Sequence, residues 1–357
     1  MKSLTDKLLR DRALTGDEFS ALIGAAMSGD KELLNYTMGL SVAERDRIFG
    51  REVYLRGLCE ISNHCKNNCY YCGIRCDKKT DRYRLDAHTI LNALRRGYNI
   101  GFRSFVLQGG EDGYYTDDML ARLICDIKRE LPGCALTLSL GERSKRSYAR
   151  LRRSGADRYL LRHETADNAH YRTLHPEQLS PAHRKECLFT LRHLGFQVGA
   201  GMMIGSPGQT AATLAQDMLF LRELSPHMCG IGPFLPAAGT PFEKSPPGSL
   251  ALTLFMLALT RIMLPFTMLP STTALATLGG NGHIPGLDAG ANVIMPNLTP
   301  SECVSDYELY DNKAYTGLQS AANLEDIRQR LASAGYTAHL GRGDSPLLGM
   351  EDIDEPV

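Results

Sequence analysis

From Tyr54 onward the chain repeats one unit: a short β-type run, a helix-length amphipathic segment, then another run. The strand-like runs are 54–62, 103–108, 134–140, 157–162, 196–204, 228–234, 266–271 and 290–296. Helical spacing of apolar residues fills the intervals, at 86–98, 117–131, 143–154, 181–194, 210–224 and 250–264. Asp86, Thr116 and Thr210 stand where N-caps are needed, and Ser180 precedes Pro181 at a first helical position. Alternation of this kind predicts parallel strands joined by right-handed crossovers. An open doubly wound sheet is one solution. Eight units in about 250 residues favour the other, a closed (β/α)8 barrel.

Residues 1–50 lie outside the rhythm and read as a helical layer. Thr15–Glu18 and Ser41–Glu44 both have the spacing of a capping box. The expected organisation is therefore a helical layer (1–50), an α/β barrel (51–310) and a C-terminal helix and tail (311–357). That last helix is expected from about Asn323 to Ala334, with a frayed or surface-draped tail from about Gly341 to Val357.

Forty basic and 40 acidic side chains cancel, so there is no electrostatic footprint for nucleic acid or an anionic membrane. The longest apolar run, Leu250 to Phe266, is broken by Arg261 and Pro265 and reads as a buried helix. Ten cysteines behind a charged, amphipathic N-terminus point to a reducing cytoplasm rather than a disulfide framework. Cys59, Cys125, Cys134, Cys187, Cys229 and Cys303 are scattered singly, as small core hydrophobes are.

The other cysteines are not scattered. Cys65, Cys69 and Cys72 form a C-x3-C-x2-C loop directly after the first strand run, with Tyr71 before the third thiol. Three thiolates can hold three irons of a [4Fe–4S] cube and leave the fourth iron open. An amino acid such as S-adenosylmethionine (SAM) can chelate that iron, and an electron from the cluster can then cleave its sulfonium. The alternative is structural zinc with His64 or Cys76 as fourth ligand, but zinc sites usually come as two separated pairs.

Polar or glycine-rich stretches end all of the runs after the first: Gln108–Asp112, Thr137–Glu142, Arg162–Thr165, Gly199–Thr210, Gly230–Phe234, Ser271–Thr273 and Met295–Asn297. In a parallel barrel these ends share one mouth. The cysteine spacing resembles the radical SAM signature. Arg162–Ala166, Gly199–Thr210, Gly230–Phe234 and Gly290–Asn297 resemble the HydE family of [FeFe]-hydrogenase maturases, within the biotin synthase-like group.

That resemblance implies a radical SAM enzyme with one [4Fe–4S] cluster, held by Cys65, Cys69 and Cys72. Tyr71, Gly109, Gly110, Glu111, Ser139, Glu164, Arg184 and Gly232 would contact SAM, although Tyr71 also suits loop packing and Arg184 a solvated helix face. Thr137, Arg162, Thr272, Thr273 and Met295 would line a substrate cavity. A salt bridge from Arg162 to Glu164 or Glu142 is the structural alternative. His163 alternates away from both neighbours and reads as a packed core histidine. Tyr307, Tyr310 and Tyr315 stand where some members carry cysteines for a second cluster, and Cys76 matches no family role. The implied substrate is an iron–CO–cyanide–cysteine precursor supplied by a HydG-type tyrosine-cleaving maturase. A HydF-type scaffold GTPase and an external electron donor would be further partners. A methylornithine synthase or biotin synthase activity is the related alternative.

Overall fold

The structure is a computed structural model that describes residues 1–280, 282–313 and 324–351. Three helices come first: α1 (Lys2–Asp11), α2 (Gly16–Met27) and α3 (Lys31–Phe49). The strands are β1 (Glu52–Leu55), β2 (Gly57–Ser62), β3 (Ser104–Gly109), β4 (Ala135–Ser139), β5 (Arg158–Leu160) and β6 (Gln197–Ala200), then β7 (Met203–Ile204), β8 (Met228–Cys229), β9 (Gly232–Pro233), β10 (Val293–Ile294) and β11 (Thr337–His339). Between them run α4 (Ala87–Asn99), α5 (Asp117–Glu130), α6 (Lys145–Arg153), α7 (Asn168–Leu174), α8 (Pro181–His193), α9 (Ala211–Leu224), α10 (Leu250–Met263) and α11 (Thr273–Gly279).

Every strand pair among the described residues is parallel. β2, β3, β4, β5, β6 and β8 form a six-stranded sheet in that order, while β10–β1–β11 and β7–β9 form smaller ones. Cys59 lies opposite Leu107, and Leu107 opposite Leu138. Parallel strands covered on both faces have no polar side to show, and β2 is buried along its whole length. Single parallel bridges extend the pairing beyond these ladders, from Met228 to Met268, Pro270 to Val293 and Leu58 to Asn297.

The expected caps at Asp86, Thr116, Ser180 and Thr210 each accept a backbone N–H, and Thr15 with Glu18 forms a reciprocal capping box. Ser41 does not cap. It sits inside α3, whose cap is Asp30, and its hydroxyl donates to the Ala289 carbonyl at 2.8 Å. With Arg45 donating to the Leu287 and Ala291 carbonyls, it fastens the helical layer to the main body. The run 266–271 forms bridges only, since Pro265 and Pro270 lack a donor for the ladder.

The C-terminal segment also departs from expectation. α14 (Leu324–Ser333; the intervening α12 is Ile284–Leu287 and α13 Ser301–Val304) leads into β11, which pairs with β1. Residues 341–345 then cross the N-terminal ends of the strands rather than fraying. Asp344 pairs with the fully buried Arg158 at 2.7 Å, and Ser345 is 2% exposed. Asn323 and the last tail residues, 352–357, lie outside the described residues, as does Tyr315. No helix among the described residues is long and apolar enough to cross a membrane. Four of the six scattered cysteines are buried, whereas Cys125 is exposed and Cys303 half-buried.

Candidate functional site

β2 ends at Ser62 and releases the cysteine loop, which has no regular secondary structure of its own. Its backbone is held from outside. The Lys66 N–H donates to the Glu111 carbonyl (3.0 Å), the Tyr70 N–H to Leu174 (2.9 Å) and the Gly73 N–H to Leu309 (2.8 Å). Arg82 threads the loop and donates to the carbonyls of Asn63, Ile74, Arg75 and Lys78. Cys65, Cys69 and Cys72 all line one cavity of about 280 Å³. Burial pushes the three thiols up, Cys72 to about 12.

Among the described residues no three Cys, His, Asp or Glu side chains converge on a single metal position.

Tyr71, Gly109, Gly110, Glu111, Ser139, Arg162, Glu164 and Arg184 join the cysteines on the cavity wall. Gly110 is there for space. A Cβ on it would lie 2.3 Å from the His64 carbonyl oxygen and 2.6 Å from Cys65 Cβ, so the cysteine loop packs directly onto its Cα. Glu111 is already engaged: it accepts the Glu142 N–H at 2.8 Å and meets Lys66 at 3.2 Å. Tyr71 bonds His175 Nε2 through its hydroxyl at 3.2 Å.

Arg184 is not a solvated helix arginine. It is 8% exposed, pairs with Glu142 and donates to the Arg162 carbonyl at 2.7 Å. Arg162 Nη2 lies 3.1 Å from Glu164 Oε2, as in the salt-bridge alternative, but its aligned hydrogen bond goes to the Met202 carbonyl at 2.8 Å. Glu164 Oε2 is therefore buried beside a cation with no hydrogen bond of its own, and Arg162 Nε is likewise without one. The backbone at Glu164 is left-handed, with φ +64°.

Gly232, Thr137, Thr272, Thr273 and Met295 are not on this wall. Thr137 is 1% exposed, with a hydroxyl that has no partner among the described residues. Thr272 caps α11 by accepting the Leu275 N–H at 3.2 Å, and a Cβ on Gly232 would meet its hydroxyl at 2.9 Å. Thr273 is the first residue of α11, and Met295 packs beside Phe49, Met228, Met268 and Val293. His163 is a packed core histidine, facing Phe220 and Asp217.

Residues to which the sequence assigned no ligand contact complete the wall. Gln108 donates to the buried Tyr307 hydroxyl at 3.3 Å, and Leu309 and Tyr310 follow from the same segment. Lys313 anchors that segment through Glu60 at 2.6 Å and the Tyr307 carbonyl at 2.9 Å. The only sequence signal was the tyrosine cluster itself.

The donor set fits the group implied by the cysteine spacing. Three soft ligands share a cavity far larger than one ion, and the Glu164 carboxylate, 3.1 Å from the Arg162 guanidinium, belongs to the same wall. Comparison with known proteins agrees. The sequence profile of the radical SAM superfamily matches residues 59–221. The [FeFe] hydrogenase maturase subunit HydE of Thermotoga maritima is 46% identical over 270 residues, covering 75% of this chain and 77% of that one. The crystal structure of methylornithine synthase (PylB) superposes with a TM-score of 0.82 at 25% identity, over 98% of this chain and 99% of its own. The structure of HydG, a maturase of the [FeFe]-hydrogenase, superposes with a TM-score of 0.79 at 18% identity, over 95% of this chain and 75% of that one, which speaks to the fold alone. The superfamily uses a [4Fe–4S] cluster and SAM, and with these residues in place the chain belongs to it, within the HydE family of maturases.

Proposed function

We propose that this protein is a radical SAM enzyme of [FeFe]-hydrogenase maturation. It acts on an iron–CO–cyanide–cysteine precursor of the active-site di-iron subcluster. One observation carries the reading: Cys65, Cys69, Cys72 and Glu164 line one cavity. When bound, the reduced cluster supplies the electron that cleaves SAM to methionine and a 5′-deoxyadenosyl radical.

The chain's own residues do the rest. Cys65, Cys69 and Cys72 hold three irons. Glu164 accepts from the ammonium or hydroxyls of SAM, and the Arg184–Glu142 pair fixes the wall next to it. Gly109, Gly110, Ser139 and the main chain of Tyr71 shape the same pocket, and Gly232, off that wall, leaves room for the Thr272 hydroxyl. Leu160, Leu161, Met203, Leu235 and Leu309 keep the cavity apolar and exclude water, which protects a radical from side reactions. Arg162, Thr137, Thr272, Thr273 and Met295 line the deeper substrate region, where a guanidinium and hydroxyls suit an anionic guest.

We read residues 51–310 as one closed (β/α)8 barrel, with 1–50 as a helical layer and 311–357 as a C-terminal extension. The three bridges that link the ladders support closure. The implied partners are a HydG-type maturase that supplies the substrate, a HydF-type scaffold GTPase and an external electron donor, in the cytoplasm.

The test is anaerobic reconstitution with iron and sulfide, followed by EPR with and without SAM. The protein is then added to a hydrogenase-maturation mixture lacking its HydE-type component. A [4Fe–4S]+ signal altered by SAM, 5′-deoxyadenosine formation and restored hydrogenase activity are expected. SAM cleavage without restored hydrogenase would overturn the maturation role and favour an organic substrate, as for methylornithine synthase. Loss of restoration, with the cluster signal intact, is expected in Arg162→Ala and Thr272→Ala/Thr273→Ala.

A further inference from the structure

Glu164 has an unusual backbone for the job it is given. A left-handed φ is uncommon for a residue with a β-carbon and persists only where the surroundings impose it. Two side chains outside the cavity impose it here. The Asp217 carboxylate reaches from α9, wholly buried, and accepts the Ala166 N–H on the far side of the turn. His163, 1% exposed, presents Nδ1 to the Gly201 N–H at 3.4 Å and Nε2 to the same Asp217 at 3.3 Å.

The Gly201 N–H fixes the tautomer: Nδ1 accepts from it, so Nε2 carries the proton, 3.3 Å from the Asp217 carboxylate but without an aligned hydrogen bond to it. Between these two anchors the Glu164 N–H donates to the Gly201 carbonyl at 3.0 Å and its carbonyl accepts the Met203 N–H at 3.0 Å. The strained residue is thus sewn to the strand end on one side and tied through Asp217 on the other. Asp217 Oδ2 has no hydrogen-bond partner among the described residues. A buried carboxylate so poorly compensated is costly to keep, which argues for a task beyond packing.

We infer that His163 and Asp217 form a positioning couple that holds the 162–166 turn so that the Glu164 carboxylate faces the cavity. This rests on the reading of Glu164 as a SAM contact. Neither residue touches the ligand; both act through Glu164.

Two readouts test it: hydrogen exchange of the iron-free protein, and the SAM concentration giving half of the EPR change in the reconstituted, reduced protein. In Asp217→Asn the 162–166 and 199–203 backbone should exchange at least tenfold faster, and half-saturation should rise about tenfold at unchanged iron and sulfide content. Glu164→Gln should weaken SAM comparably without changing exchange. The double variant should be no weaker than the weaker single one, because the clamp has nothing left to aim. His163→Gln, which keeps an acceptor and a donor, should stay within threefold of wild type. His163→Leu should behave like Asp217→Asn, and it carries the test if Asp217→Asn does not fold.

Unchanged half-saturation in both Asp217→Asn and His163→Leu, with wild type responding to SAM, would overturn the couple and leave the site standing. So would effects of Asp217→Asn and Glu164→Gln that multiply in the double variant. A wild type whose cluster signal ignores SAM would overturn the site and the couple together.

Discussion

Substituting Gly110 by alanine adds one methyl group where the residue after β3 meets the cysteine loop. Ordinary van der Waals contact begins at 3.4 Å, and the new Cβ would sit 2.3 Å from the His64 carbonyl oxygen, about 1.1 Å too close. The atoms in the way are backbone and Cys65 Cβ, which cannot rotate aside. The loop must shift by roughly an ångström, taking Cys65 with it. Overpacking of this kind costs about 1–3 kcal/mol of stability, and a displacement near 1 Å in a reacting geometry costs about a hundredfold in rate. We expect Gly110→Ala to fold with a lower urea midpoint, to retain less iron and sulfide after reconstitution, and to release 5′-deoxyadenosine about 100-fold more slowly. Gly113 is the matched control: it lies three residues on, its added Cβ would meet nothing within 4 Å, and Gly113→Ala should behave as wild type. A Gly110→Ala protein with full iron and full SAM cleavage would refute the steric argument.

Three further outcomes are expected. Cys65→Ala, Cys69→Ala or Cys72→Ala should each abolish the [4Fe–4S]+ EPR signal, whereas Cys76→Ala, at an exposed position, should leave iron and sulfide content unchanged. Lys313→Met strands the buried Glu60 carboxylate, and breaking such a pair costs about 3–5 kcal/mol, read as a drop in denaturation midpoint that Glu60→Gln should partly restore. Burial pushes the His283 imidazole down to about 4, against about 6.5 unfolded. The folded ring then binds fewer protons than the unfolded one, so stability present at neutral pH is lost as pH falls from about 6.5 through about 4, by about 3 kcal/mol in all. His283→Asn, which keeps a donor for the Ser271 carbonyl, should flatten that part of the stability–pH curve in urea titrations.

The sequence was most informative where chemistry is local. Cysteine spacing, strand–helix alternation and the caps at Asp86, Thr116, Ser180 and Thr210 depend on neighbours within a few positions, and each is found. Ser41 shows the limit of that logic: Ser-x-x-Glu also occurs inside a helix, and the true cap, Asp30, lies a full helix-half earlier. Contacts between distant segments left no such mark. The Arg184–Glu142 pair, the Asp217 reach to Ala166 and the Lys313–Glu60 anchor join residues 42, 51 and 253 positions apart, so no spacing rule could find them. Thr272 is a mixed case, since the hydroxyl assigned to a ligand also serves its own helix.

The segment crossing the strand starts has a consequence for synthesis. A ribosome delivers the N-terminus first, so every strand from β1 to β10 emerges before β11 and Asp344. Arg158 and Arg56 point into that end of the molecule, where Asp344 and the Gly343 carbonyl meet them. Until residues 341–345 arrive, the two guanidiniums keep their water, and the nascent chain stays wet at one end while the cysteine end can already be complete. Closing so long a loop is slow. The last seam of this fold is therefore drawn at the end opposite the chemistry, by residues that never approach it.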